Sequence, residues 1–491
     1  LNGFYPLKAR ELPMLFNSPI YLLFLTITVL LYWNVPKSWR IPLLLIASYI
    51  FYMSWSPPHG LMYGPLIFMD SLYFYWLSRA MVRWPQAKKP LLIIGVTSEL
   101  LLLAYFKYAN FFAQTVDSVL KALNLPATQA HFDIFLPLAI SFTNFVLISY
   151  LVDVYRGHEK PDKSFIRFAT YVAFFPHLIA GPIVRASELL HQFDRSPEFD
   201  MERLVQGIHR FCTGFFLKVF VADILAVYVD MIFGHPELQA FNTSWVANYS
   251  FSIQLFCDFF GYTLMAQGSA LLMGYTLPEN FNAPYFAKNM SEFWKRWHIS
   301  LSRWLKDYLY IPLGGNRHGK FNTYCNLFIT MGLGGLWHGA SWNFVIWGLL
   351  NGLFLCIHKL GNYLKINRFI PEALAIAITF HAVCLVRVFF RAQTFDEAMH
   401  MLSTMWNPFN WKALPEAVGS VEQGTSFIST ETALLAVILF MITHALIRKL
   451  RPQITQPLLR EAGIAVAYGI FFYFVFTMGG QNSQQFIYFQ F

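Results

Sequence analysis

The 491-residue chain is 56% hydrophobic and 18% aromatic, with only 13% of its residues charged. Soluble domains carry about 25% charged and about 45–50% apolar residues. The composition therefore excludes an ordinary soluble fold and points to an all-α, polytopic membrane protein, whose apolar runs approach the roughly 20 residues that cross a bilayer. The formal net charge of +9 is attributed to Lys and Arg in cytoplasmic loops beside anionic lipid, not to nucleic-acid binding.

The first apolar run, Met14–Trp33, is followed by Lys37 and Arg40 and lacks an A-x-A-like cleavage site, so it reads as a retained membrane helix. Met14 makes a natural start, which leaves residues 1–13 as extra sequence or a leader. Further spans are expected over Ile41–Trp55, Leu61–Val82 with Asp70, Leu91–Phe112 with Glu99 and Lys107, and Ile134–Val154. Basic residues fall in the first and third loops and not in the second. That bias places those two loops in the cytoplasm and the N-terminus outside.

Phe168–Val184 contains FFPHLIAGPIVR, where Pro176, Gly181 and Pro182 break a helix. Arg185, Arg195, Arg203 and Arg210 follow. A re-entrant segment keeps them on the cytoplasmic side, and such backbone is tolerated where protein or water covers it. Spans over Ile208–Phe233 and Val246–Met273 come next, the second holding Asp258 and Gln267.

A polar, proline-interrupted connector, Leu277–Ser291, leads into a helix from Ser291. Its Trp294, Trp297, Leu301, Trp304 and Tyr308 recur at alternating steps of three and four, which makes one apolar face. Lys295, Arg296, Arg303 and Lys306 occupy its other faces, as suits an interfacial helix with bases toward phosphate groups. Tyr324–Leu360 reads as two helical pieces meeting near Gly334 and Gly335, with Gly335/Gly339 and Gly348/Gly352 spaced four apart for close packing. A span over Ala373–Phe390 ends in Arg387 and Arg391, and Ala392–Thr430 is polar. Two last spans, Leu434–Ile447 and Ile464–Met478, precede a terminal FIYFQF.

Two histidines stand out. His338 lies in GGLWHGASWN, where an imidazole in an apolar stretch is costly. It is either a hydrogen-bonded interior histidine or a general base, a role neutral imidazole fills near neutral pH. His298 is equally an interfacial residue on a basic face or a polar group that positions substrate. Asp258 is the acidic residue best placed to act near the site. The five cysteines, Cys212, Cys257, Cys325, Cys356 and Cys384, form no CxxC pair and read as buried small hydrophobes. No HxxxH or HExxH metal pattern, GxSxG elbow, phosphate-binding loop or dinucleotide fingerprint is present.

FWKRWHISLSRWLKDYLYIPLGGN followed by GGLWHGASWNFVIWG resembles the signature of the membrane-bound O-acyltransferase (MBOAT) family, in its bacterial branch of alginate, peptidoglycan and teichoic acid systems. FFPHLIAGPIVR, LPENFNAPY, RVFFRA and FIYFQF extend the likeness over nearly the whole chain from Met14. One departure is visible: the branch often reads DFSGYSDMAIG where this chain reads DFFGYTLMAQG (Asp258–Gly268), without the second acidic residue.

The resemblance implies one membrane domain over residues 14–491, with its core motifs in 277–391. It implies a ring of roughly 11–13 helices with re-entrant segments and a central funnel, in a bacterial inner membrane. His338 matches the catalytic histidine and His298 a second functional position. The donor would be acetyl-CoA, with no bound cofactor. The acceptor would be a glycan hydroxyl or a periplasmic SGNH-like partner protein. Lys295, Arg296, Arg303 and Lys306 would attract the CoA phosphates. Trp297, Trp304, Trp337, Asn343 and Asp258 complete the expected substrate-binding set. D-alanyl transfer to teichoic acid and a non-catalytic acyl or glycan transporter are the rival readings. Transporters often carry paired repeats with matching broken helices, and this chain shows one broken region and no repeat.

Overall fold

The computed structural model describes residues 14–412, apart from 55–56, 129 and 180. The two expected spans after Leu434, the terminal FIYFQF, residues 1–13 and the latter part of the polar 392–430 segment lie outside the described residues. All regular structure among the described residues is helical. Two compact units partition the chain: one comprises residues up to 208 with 266–278, the other 209–265 with residues from 279 onward.

In the first unit, α1 (Pro19–Asn34) starts where the Ser18 hydroxyl accepts the Tyr21 N–H at 3.2 Å, with Pro19 opening the first turn. Most of its aliphatic side chains face outward, Leu23 at 63% exposure, while Leu25, Tyr21 and Tyr32 are buried. Both tyrosine hydroxyls are satisfied, by Ser269 at 2.9 Å and Tyr275 at 3.0 Å. Then follow α2 (Arg40–Met53), α3 (Pro57–Arg83), α4 (Lys88–Leu103), α5 (Ala109–Ala122) and α6 (Ile140–Arg156). A π-helical turn over Ala104–Tyr108 joins α4 to α5, and the stretch from Pro85 to Ala122 is long and apolar enough to cross a membrane.

The break expected at FFPHLIAGPIVR is present. Helix α7 (Phe165–Ala173) stops, Phe174 turns out of the helical region, and α8 (Phe175–Leu178) is a single turn. Neighbours satisfy the freed polar groups. The Ser48 hydroxyl of α2 accepts the Phe175 N–H at 3.0 Å, Tyr171 Oη donates to the Val184 carbonyl at 3.0 Å, and His177 Nε2 lies 2.9 Å from the Tyr171 carbonyl. Irregular backbone survives in this buried stretch because these partners replace its lost bonds. A short helix, α9 (Ala186–Leu189), leads to α10 (Met201–Phe216), which runs from the first unit into the second.

In the second unit a π-helical turn, Leu217–Ala222, links α10 to α11 (Asp223–Gly234), and α12 (Phe241–Leu272) packs across them. Gly214 and Gly261 let the backbones meet: a Cβ on Gly214 would sit 2.3 Å from the Gly261 carbonyl oxygen. The π turn carries Lys218 into the packing, where its Nζ lies 2.6 Å from Asp223 and 2.7 Å from Asp258.

The single helix expected from Ser291 to the turn at Pro312 is broken into two helices, α13 (Met290–Arg296) and α14 (Ile299–Leu305). Asn289 caps α13 by accepting the Glu292 N–H at 2.9 Å. The break follows at Trp297 and His298. The connector before it clamps the kink: Asn282 N–H reaches the Arg296 carbonyl, Asn280 O accepts from Ile299 N–H, and Asn280 Oδ1 accepts from Ser300 N–H. A periodic apolar face survives the kink because Trp297 and Trp304 still turn inward; periodicity alone cannot register it.

Helices α15 (Gly319–His338) and α16 (Trp342–Tyr363) form a tight hairpin. It bends at Gly339–Ser341, not near Gly334 and Gly335 as the sequence suggested. Gly335 and Gly348 instead make the close helix approach, where a Cβ on Gly335 would sit 2.1 Å from the Phe344 carbonyl oxygen. Next come α17 (Glu372–Arg391) and α18 (Phe395–Met405). Helices α16 and α17 are each long and apolar enough to cross a membrane.

Candidate active site

His298 stands at the α13–α14 break with left-handed backbone, φ 43° and ψ 55°. That conformation is uncommon for a residue with a Cβ and marks a turn the surroundings enforce. The ring is fully buried, which removes the interfacial-face alternative of its two readings. It meets Phe259 edge-on at 4.7 Å, and neither ring nitrogen has a hydrogen-bond partner among the described residues.

His338 is the last residue of α15, and Gly339 leaves the helix in extended geometry. No side chain fits at Gly339, because a Cβ would sit 2.1 Å from the Phe344 ring. Three aromatic rings wall the imidazole: Trp337 at 5.0 Å, Trp347 at 5.1 Å and Phe390 at 5.6 Å. The two histidine rings lie 6.2 Å apart, with Trp337 6.2 Å from His298. Two buried imidazoles held among indoles and phenyl rings can accept and donate protons with little water in the way.

The other expected residues divide by position. Trp297 and Trp337 are buried beside the histidines, whereas Trp304 meets Tyr308 in a tilted contact at 5.3 Å, further along the chain. Lys295 and Lys306 are exposed, and Arg296 and Arg303 are half-buried. Arg296 pairs with Glu292 at 2.5 Å. Burial acts to raise the Glu292 carboxyl, but the Lys288 N–H and the Arg296 guanidinium outweigh it and hold it below the usual range. Asn343 donates to the Ala392 carbonyl at 3.0 Å and so ties α16 to the end of α17. Asp258 is engaged by Lys218. Among the described residues no three His, Cys, Asp or Glu side chains cluster as metal ligands.

Sequence reasoning passed over Asn280, Trp347, Phe390 and Arg387. Arg387 carried a usable signal, a charge inside an apolar run, the same signal that singled out the histidines. Asn280 and the two aromatics carried none, since their roles exist only once the chain folds.

The family model of the membrane-bound O-acyltransferases matches residues 156–364, a stretch that holds both histidines. The chain is 42% identical over 406 residues to the probable alginate O-acetylase AlgI of Pseudomonas putida, covering 81% of each. It is 37% identical over 439 residues to the peptidoglycan O-acetyltransferase of Helicobacter pylori, covering 81% of this chain and 80% of the other. To the teichoic acid D-alanyltransferase of Bacillus subtilis it is 30% identical over 276 residues, 52% of this chain and 69% of the other.

Proposed function

The chain belongs to the membrane-bound O-acyltransferase family and is an O-acyltransferase, and from that premise we propose that it passes an acetyl group from cytoplasmic acetyl-CoA across the bacterial inner membrane to an extracytoplasmic hydroxyl. The acceptor hydroxyl belongs to a glycan, or to a serine of an SGNH-like partner protein that completes delivery. His338 is the general base. As the acceptor oxygen attacks the thioester carbonyl, His338 takes its proton. The C–S bond then breaks, and the protonated imidazole returns the proton to the CoA thiolate. His298 hydrogen-bonds the acceptor or the developing oxyanion. Lys295, Arg296, Arg303 and Lys306 bind the donor phosphates.

The observation that carries this reading is the pair of buried imidazoles 6.2 Å apart. A single hydroxyl oxygen at about 2.6–3.2 Å from one nitrogen of each ring fits that spacing. His298, with no protein partner for either nitrogen among the described residues, is available to such a group. Acetyl transfer is favoured over D-alanyl transfer because the likeness to the O-acetyl-transferring relatives covers 81% of the chain and that to the D-alanyltransferase 52%.

The test uses membranes carrying the full chain, supplied with acetyl-CoA labelled in the acetyl group, with polymer-bound label as readout. His338→Ala is expected to lower the rate by roughly 100- to 10,000-fold. A folded His338→Ala protein that transfers at the wild-type rate removes the general-base assignment.

A further inference from the structure

The RVFFRA stretch places a cation in the interior. Arg387 of α17 is 3% exposed. Its Nη1 donates to Tyr285 Oη at 2.6 Å and to the Ser252 carbonyl at 3.3 Å. Tyr285 Oη in turn donates to that same carbonyl. The guanidinium carbon lies 4.4 Å from the Trp297 ring centroid and 5.3 Å from that of Tyr285. Both distances are within cation–π range. Among the described residues the hydrogen-bond acceptors of Arg387 are neutral, and no carboxylate forms an ion pair with it. An apolar side chain of similar volume would fill the space without burying a charge, so stability alone does not account for an arginine here.

The geometry points to Arg387 as a positioning residue for the acyl-transfer site, an inference that rests on the reading of His298 and His338 given above. Trp297 is the residue before His298, and its extended backbone leads into the left-handed turn. The guanidinium carbon lies over the Trp297 ring while Nη1 holds Tyr285, so one group fixes the indole of the residue that precedes His298. One turn along α17, Phe390 lies 5.6 Å from the His338 ring and 5.1 Å from Trp347. A single helix thus braces both imidazoles, Arg387 through Trp297 and Phe390 by direct contact. Lysine cannot replace it, having neither the flat face nor the fork of donors.

The test is the same membrane assay with Arg387→Ala, Arg387→Lys and His338→Ala measured side by side. Arg387→Ala is expected to lower kcat roughly 10- to 100-fold, as misplacing a reacting group does, with KM for acetyl-CoA within about twofold of wild type. Arg387→Lys recovers only a small part of that loss. Added guanidinium chloride at tens of millimolar restores much of the Arg387→Ala rate, and equal ammonium chloride does not. A wild-type kcat in Arg387→Ala, a loss confined to KM, or a loss that guanidinium does not relieve each overturns the positioning role. The His338→Ala arm separates the two ideas. A wild-type rate there removes the reading of His338 as general base, whereas failure of the Arg387 arms alone leaves that reading standing.

Discussion

The imidazoles of His298 and His338 lie with centroids 6.2 Å apart and planes inclined by 56°, although 40 positions separate them in the chain. One hangs from a left-handed kink and the other ends a helix at a glycine that admits no side chain. The fold holds each from its own side, so substitutions separate backbone demand from ring chemistry.

At His298 the backbone accepts asparagine, which tolerates positive φ better than other residues with a Cβ. His298→Asn is expected to keep the thermal midpoint of the purified full-length protein within a few degrees of wild type while slowing acetyl transfer at least about tenfold. A β-branched replacement, His298→Val, should lose both. Parallel melting curves and transfer rates check this, and a wild-type rate in His298→Asn would show that the ring has no part in the reaction.

The α15–α16 hairpin ranks its glycines by the space around them. A Cβ on Gly335 meets a carbonyl oxygen at 2.1 Å and one on Gly348 meets another at 2.3 Å, whereas the nearest atom to one on Gly352 is at 3.3 Å. Gly335→Ala and Gly348→Ala should each cost about 1–3 kcal/mol through overpacking. Gly352→Ala should cost little, and a helix glycine replaced by alanine can even stabilise. Thermal unfolding in one detergent orders the three. Equal midpoints would mean that the hairpin relaxes without strain.

Much of this was legible in the sequence, and the remainder fails for identifiable reasons. Apolar runs placed α2, α3 and α17 within a few residues, because lipid and protein interiors both demand long apolar helices, but the one span expected over Leu91–Phe112 runs on through α5 to Ala122. The small-residue spacing found the right hairpin but the wrong partners: spacing of four along one helix does not say which glycine faces which across two. The aromatic face from Trp294 to Tyr308 concealed the kink at His298. Inward-facing side chains keep the same order along a bent helix as along a straight one, and the bend is imposed by Asn280 and Asn282 from the preceding connector. The pairing of Asp258 with Lys218 was not legible, because Lys218 is 40 residues away and is turned inward by a π-helical turn that no local pattern marks.

That Lys218 cluster gives a separate stability test. Lys218 is 1% exposed and bridges two buried carboxylates, Asp223 and Asp258. Lys218→Met leaves both without their cation, and removing one partner of a buried pair costs about 3–5 kcal/mol. The triple change Lys218→Met, Asp223→Asn, Asp258→Asn removes the charges together and should recover part of that loss. Thermal midpoints of the three proteins check it. A Lys218→Met midpoint equal to wild type would mean that the carboxylates find other compensation.

The exposed lysines make the last and most separable case. Lys295 and Lys306 are exposed, on either side of the kink that carries His298. Exposed charges act on a polyanionic donor mainly by raising its local concentration, an effect that salt screens over about 10 Å at 0.1 M. Replacing both with Gln should therefore raise KM for acetyl-CoA by roughly two- to tenfold and leave kcat unchanged. The wild-type KM should climb as salt is raised from 0.05 to about 0.5 M, and the doubly substituted protein should respond less. Rate measurements over that salt series decide the point. If the substituted and wild-type proteins share one salt dependence, these lysines do not face the donor and the phosphates are held elsewhere. If kcat falls instead, the α13–α14 turn itself has moved, and the effect belongs with His298 and not with donor capture.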